Sequence, residues 1–96
     1  MESEKSAITD IEKAARKEMD RMKEVFSKIK VISSDKKAKE FFDFAKNYHK
    51  DGIYFYGRKK YGEAFEAFII AWAYIDIGLK LRLFEVPKEI QKFFTA

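Results

Sequence analysis

Residues 64–77 read AFEAFIIAWAYIDI, and only Glu66 and Asp76 among these fourteen positions are polar. Tyr61, Ala64, Phe65, Phe68, Ala71, Trp72, Ile75 and Leu79 recur three and four apart, the period of an α-helix. Ala67, Ile69, Ile70, Ala73, Tyr74 and Ile77 fill the faces this first stripe leaves out. A helix that is apolar on nearly every side needs neighbours all round it. Spanning a bilayer takes about 20 apolar residues, more than the stretch supplies. The segment therefore reads as the central helix of a bundle, over residues 61–83, and no membrane span is expected.

The flanking sequence supplies its neighbours. Upstream, Ile8, Ile11, Ala15, Met22, Val25, Ile29 and Ile32 occupy heptad a and d positions, with Met19 and Phe26 widening the stripe. That pattern predicts an amphipathic helix over residues 4–31, suited to shallow-angle packing on another long helix. Ser33-Ser34-Asp35 breaks it, with Ser34 as the expected N-cap of the next helix. This second helix, residues 35–57, carries Ala38, Phe41, Phe42, Ala45, Tyr48, Gly52 and Phe55 at helical spacing. Gly57 could close it in a left-handed conformation, with Arg58-Lys59-Lys60 as the turn. Pro87 is placed to start a short last helix, residues 87–95. The fold class is all-α: one domain over residues 1–96, an antiparallel bundle of three long helices plus a short C-terminal one. No strand pattern competes.

Composition removes whole classes of function. No cysteine excludes thiolate metal sites, disulfides and a thiol nucleophile, and one histidine excludes a His-rich metal centre. No cofactor and no metal are expected. The charged N-terminus MESEKSAITDIEKAARK lacks the apolar core of a signal peptide, which points to a cytoplasmic protein. Lys and Glu total 26 residues while Asn47 and Gln91 are the only side-chain amides, a thermophile-like skew.

From Tyr48 to Val86 the residues resemble a known family. Tyr48-x-x-Asp51-Gly52-x-Tyr54-Phe55, Tyr61-x-x-Ala64-Phe65, Ala71-Trp72-Ala73, Ile75-Asp76-Ile77-Gly78-Leu79 and Leu83-Phe84-Glu85-Val86 are similar to the archaeal "domain of unknown function 357" proteins. The resemblance implies a short helical protein without an assigned activity. Two positions depart from the family pattern. Lys59-Lys60 stands where the family has Gly-Asp, and Arg82 stands where it favours Gly. A left-handed Lys59 would cost about 1 kcal/mol; the alternative is a turn shifted two residues earlier onto Gly57.

Candidate functional residues fall into three groups. Sixteen aromatics are more than a three-helix core can enclose, and Phe44, Tyr54, Tyr74, Phe84, Phe93 and Phe94 lie off the main stripes. Such residues either pack under the last helix or form an exposed patch. The apolar third helix and the C-terminal aromatics, with Trp72, Tyr74, Phe84, Phe93 and Phe94 as contacts, are the expected surface for a second copy or another protein partner. Net charge is +4, and residues 34–60 hold the whole excess with 8 basic against 4 acidic groups. Within it, Lys46, Lys50, Arg58, Lys59 and Lys60 could meet phosphates of a nucleic acid, an alternative weakened by the scarcity of arginine. Asp51, Asp76 and His49 are the polar residues nearest the apolar stripes. In a hairpin turning near residue 59 the two aspartates stand about 13 Å apart along the axis. They are expected as separate polar residues at helix seams, and no enzyme activity is expected.

Overall fold

Three helices run up, down and up: α1 (Glu2–Lys28), α2 (Lys36–Gly57) and α3 (Tyr61–Lys80). The coordinates are a computed structural model that describes residues 2–95, with side chains from Asp10 onward. Ile8, first of the α1 stripe, has its side chain outside the described residues. Ala15, Met22 and Val25 of that stripe are fully buried. Ile11 is 46% exposed, because it lies beside Lys59, Tyr61 and Gly62, where the two shorter helices end.

Small residues decide how closely the helices approach. Ala38 and Ala45 of α2 and Ala64, Phe68 and Ala71 of α3 are all fully buried in one core. Phe68 lies over Gly52: a Cβ at that glycine would come within 2.5–2.8 Å of the ring. Gly78 plays the same part for Phe84, whose ring an added Cβ would overlap. An alanine at either glycine would gain helix propensity of about 1 kcal/mol and lose more to overpacking.

Both α2 and α3 end in the same backbone motif. Lys60 N–H donates to Phe55 O (2.9 Å) and Lys59 N–H to Tyr56 O (3.0 Å). Leu83 N–H donates to Gly78 O (2.8 Å) and Arg82 N–H to Leu79 O (3.1 Å). These are Schellman motifs, whose left-handed residue is usually glycine. Here the left-handed residues are Lys59 (φ 62°) and Arg82 (φ 58°). They are the two positions at which the resemblance implies a glycine. Gly57 stays helical, so the turn does not shift to it.

Several element boundaries differ from the sequence reading, some through local capping and others through contacts with distant segments. The helix expected to reach residue 31 stops at Lys28, and Lys30–Val31 forms β1 instead. It pairs antiparallel with β2 (Phe84–Glu85) in the register Lys30↔Glu85 and Val31↔Phe84, so a small strand pair does compete. Ile32 N–H donates to Leu83 O, tying this clip to the end of α3. The N-cap of α2 is Asp35 rather than Ser34: its carboxylate accepts from Lys37 N–H at 2.9 Å, and Ser33 Oγ accepts from Asp35 N–H. The third helix ends at Lys80, where the Schellman turn takes over from the expected run to residue 83. Pro87 starts a short 3-10 helix (Lys88–Phe93), after which Phe94 is extended. Side chains of α3 capture this tail and stop it short of residue 95.

Candidate functional site

The core consumes one side of α3: Ala64, Ala67, Phe68, Ala71, Ile75 and Gly78 are buried. Two flanks remain, and they fare differently.

On the first flank the chain's own C-terminus lies down as a strap. Trp72 Nε1–H donates to Phe93 O at 2.8 Å, and the indole is parallel to the Phe94 ring at 6.1 Å. Asp76, 6% exposed, accepts from Thr95 N–H (2.9 Å) and from Thr95 Oγ1–H (2.7 Å). Lys80 Nζ stands 3.7 Å from the same carboxylate, and the Arg21 guanidinium lies over Phe93. A buried carboxylate is tolerable because hydrogen-bond donors and a cation answer its charge.

The second flank is bare. Ile69 is 37% exposed and Ile77 47%, and with Ile70, Ala73 and Tyr74 they line a shallow groove of about 350 Å³. Aromatics of α2 support Tyr74 at its edge: Phe44 and Tyr48 stack on that ring at 5.4 and 6.0 Å, and Phe41 meets it edge-on at 5.8 Å. Phe44 is itself 48% exposed. Through Ile70 the groove continues into a second hollow of about 250 Å³, bordered by Tyr48, Phe55, Asp51, Glu63 and Glu66. An apolar floor with a carboxylate rim thus runs along the α2–α3 seam. It can receive an apolar helix face whose edges are polar.

The five aromatics expected to form a contact surface divide between these settings. Phe84 is 3% exposed against Gly78, and Trp72, Phe93 and Phe94 are half-buried in the strap. Burial takes Phe84 out of the expected surface, while Trp72, Phe93 and Phe94 are engaged in the protomer's own packing and stay partly exposed. Tyr74 alone borders the bare groove. The exposed residues that matter are aliphatic. Ile69, Ile70, Ala73 and Ile77 repeat at helical spacing on the side opposite the core stripe, the faces of the third helix that the sequence already marks as apolar.

The polar candidates stand apart from one another. Asp76 anchors the strap, whereas Asp51 is exposed on the carboxylate rim and so is not buried at a seam. His49 is 9% exposed between Phe26 and Phe68, with ring centroids at 4.8 and 5.6 Å. Its buried Nδ1 has no hydrogen-bond partner. Burial, with a smaller contribution from the nearby Lys23 ammonium, lowers the His49 pKa below its usual value, so the neutral ring is favoured. Among the described residues no cluster of His, Cys, Asp or Glu could hold a metal.

Lys46 and Lys50 are exposed on the outside of α2, away from the core positions Ala45, His49 and Gly52. Arg58, over the Tyr54 ring at 5.6 Å, and Lys59 and Lys60 are exposed at the turn. No helix among the described residues is long and apolar enough to cross a membrane.

Comparison with known proteins supports this architecture. A crystal structure of a protein from Archaeoglobus fulgidus, assigned to the DUF357 family, matches with a TM-score of 0.73 and 23% identity. The match covers 84% of this chain and 99% of that one, and at such identity the likeness speaks for the fold. Nothing among curated proteins matches. The family model for "Protein of unknown function (DUF357)" matches residues 4–84. That span takes in all of α2 and α3 with both Schellman turns, whose left-handed residues are Lys59 and Arg82, and the chain belongs to the DUF357 family.

Proposed function

We propose that this protein is a non-catalytic interaction module whose docking surface is the bare flank of α3 with the α2 aromatics beside it. One observation carries the reading. The apolar strip Ile69–Ile70–Ala73–Ile77 is left open by a fold that covers the opposite flank with its own tail. Aliphatic side chains in an exposed groove gain free energy when a partner removes them from water, roughly 25 cal/mol per Å². The polar residues support a structural role. Asp76 holds the strap, His49 is enclosed by two phenylalanine rings, and Asp51 lies out on the rim.

The test is the double variant Ile69→Glu/Ile77→Glu. Its circular dichroism and melting temperature should match the wild type. Association should be lost, both with itself in sedimentation and with any protein the wild type retains from extract of its own host. Equal association by variant and wild type would defeat the proposal.

A further inference from the structure

Building on that reading, we infer that the occupant of the bare flank is a second copy of this chain, its α3 antiparallel to the first across a two-fold axis at Ala73. The pattern of the exposed strip favours that orientation. Glu66 stands seven residues before Ala73 and Lys80 seven after; Ile69 stands four before and Ile77 four after. At 3.6 residues per turn all of them lie within roughly 40° of Ala73 around the helix.

Antiparallel alignment brings Glu66 of each copy beside Lys80 of the other, twice over. Each Ile69 then enters the hollow that Ala73, Ile77 and Lys80 make on the facing helix, as a knob enters a hole. A parallel alignment would instead set Glu66 against Glu66 and Lys80 against Lys80, which is repulsive. The residue on the axis is alanine, small enough for two helices to approach to about 8 Å. Both charged groups are accessible: Glu66 is exposed, and the Lys80 side chain is 53% exposed while still reaching Asp76. Phe44, stacked on Tyr74, stands at the level of Ala73 and widens the apolar contact on the α2 side.

Sedimentation equilibrium of the full chain at low salt tests the register, using wild type, E66K, K80E and an equimolar mixture of the two variants. The wild type should be a dimer. Each variant alone should dissociate about tenfold more readily, since two attractive contacts become two repulsive ones. The mixture should recover wild-type association, because in the hybrid both contacts again set an ammonium against a carboxylate. Ala73→Cys, in a chain without native cysteine, should oxidise to a covalent dimer, and Gly62→Cys should not.

A wild type that stays monomeric at millimolar concentration overturns the inference, as do single variants that associate like the wild type. A monomeric wild type that captures another protein, and loses it on Ile69→Glu/Ile77→Glu, sinks the homodimer while leaving the docking face standing.

Discussion

The two flanks of α3 beside its core stripe are built from similar apolar material and meet different ends. Around Trp72 and Asp76 the chain returns on itself, and the contact is held by an indole N–H and by a carboxylate that accepts two hydrogen bonds from Thr95. Around Ile69 and Ile77 the surface offers aliphatic carbon without a hydrogen-bonding anchor, and the chain leaves it open. Intramolecular docking of a short tail requires directional bonds to offset the entropy of ordering it. An interface between folded partners can rely on area, because most of its ordering is already done. The polar residues embedded in an apolar helix therefore separate the flank that is used internally from the flank that remains available.

Four experiments sharpen or break that contrast. The largest effect belongs to the core side, where Gly78→Ala drives a methyl into the buried Phe84 ring. We expect it to cost about 2 kcal/mol in urea unfolding, the overpacking penalty less the gain in helix propensity. A smaller loss would mean that Phe84 and the β1–β2 clip give way easily.

Next comes the strap. Asp76→Ala removes both hydrogen bonds to Thr95, and about 1–2 kcal/mol of stability should go with them. Trp72 is the single tryptophan, so release of the tail should appear as a red shift of its fluorescence. An unshifted spectrum would show that Phe93 and Phe94 hold the strap without the carboxylate.

His49 gives an effect of about 1 kcal/mol with a pH signature. Its folded pKa lies below the usual 6.5, so between those values the unfolded chain binds more protons. This residue's contribution is fully present above pH 6.5 and is lost as pH falls through the folded pKa. His49→Leu should flatten that part of the melting-temperature profile. It should also raise stability at mildly acidic pH, because the unpartnered Nδ1 is gone. A profile unchanged in slope would place the acid sensitivity elsewhere.

The smallest effect on stability is expected on the bare flank. Ile77→Lys should change the unfolding free energy by less than about 0.5 kcal/mol while weakening association. A loss as large as that of Asp76→Ala would mean that the flank is core after all, and the contrast would fail.

Much of this was legible in the residues. The heptad at Ala15, Met22 and Val25, the alanine spacing in α2 and the all-round apolar α3 specify helices and their number, because period and helix propensity are local properties. The left-handed turn at Lys59 was one of two alternatives the residues left open, and the one at Arg82 fell inside the expected third helix. The candidate site was less legible. Trp72, Phe84, Phe93 and Phe94 look available in a linear chain, since nothing in their spacing says that the tail folds back over α3. The strand clip was hidden for the same reason: Lys30–Val31 continues a helical stripe, and the pairing with Phe84–Glu85 joins residues more than fifty positions apart.

Sequence by itself therefore determined the all-α class, the three long helices and the family, each carried by patterns among near neighbours. Tertiary structure alone decided which apolar residues are spent inside and which face outward. That choice depends on where the C-terminus lands, and the landing is fixed by the geometry of an indole and a carboxylate on α3 meeting backbone groups some twenty residues away.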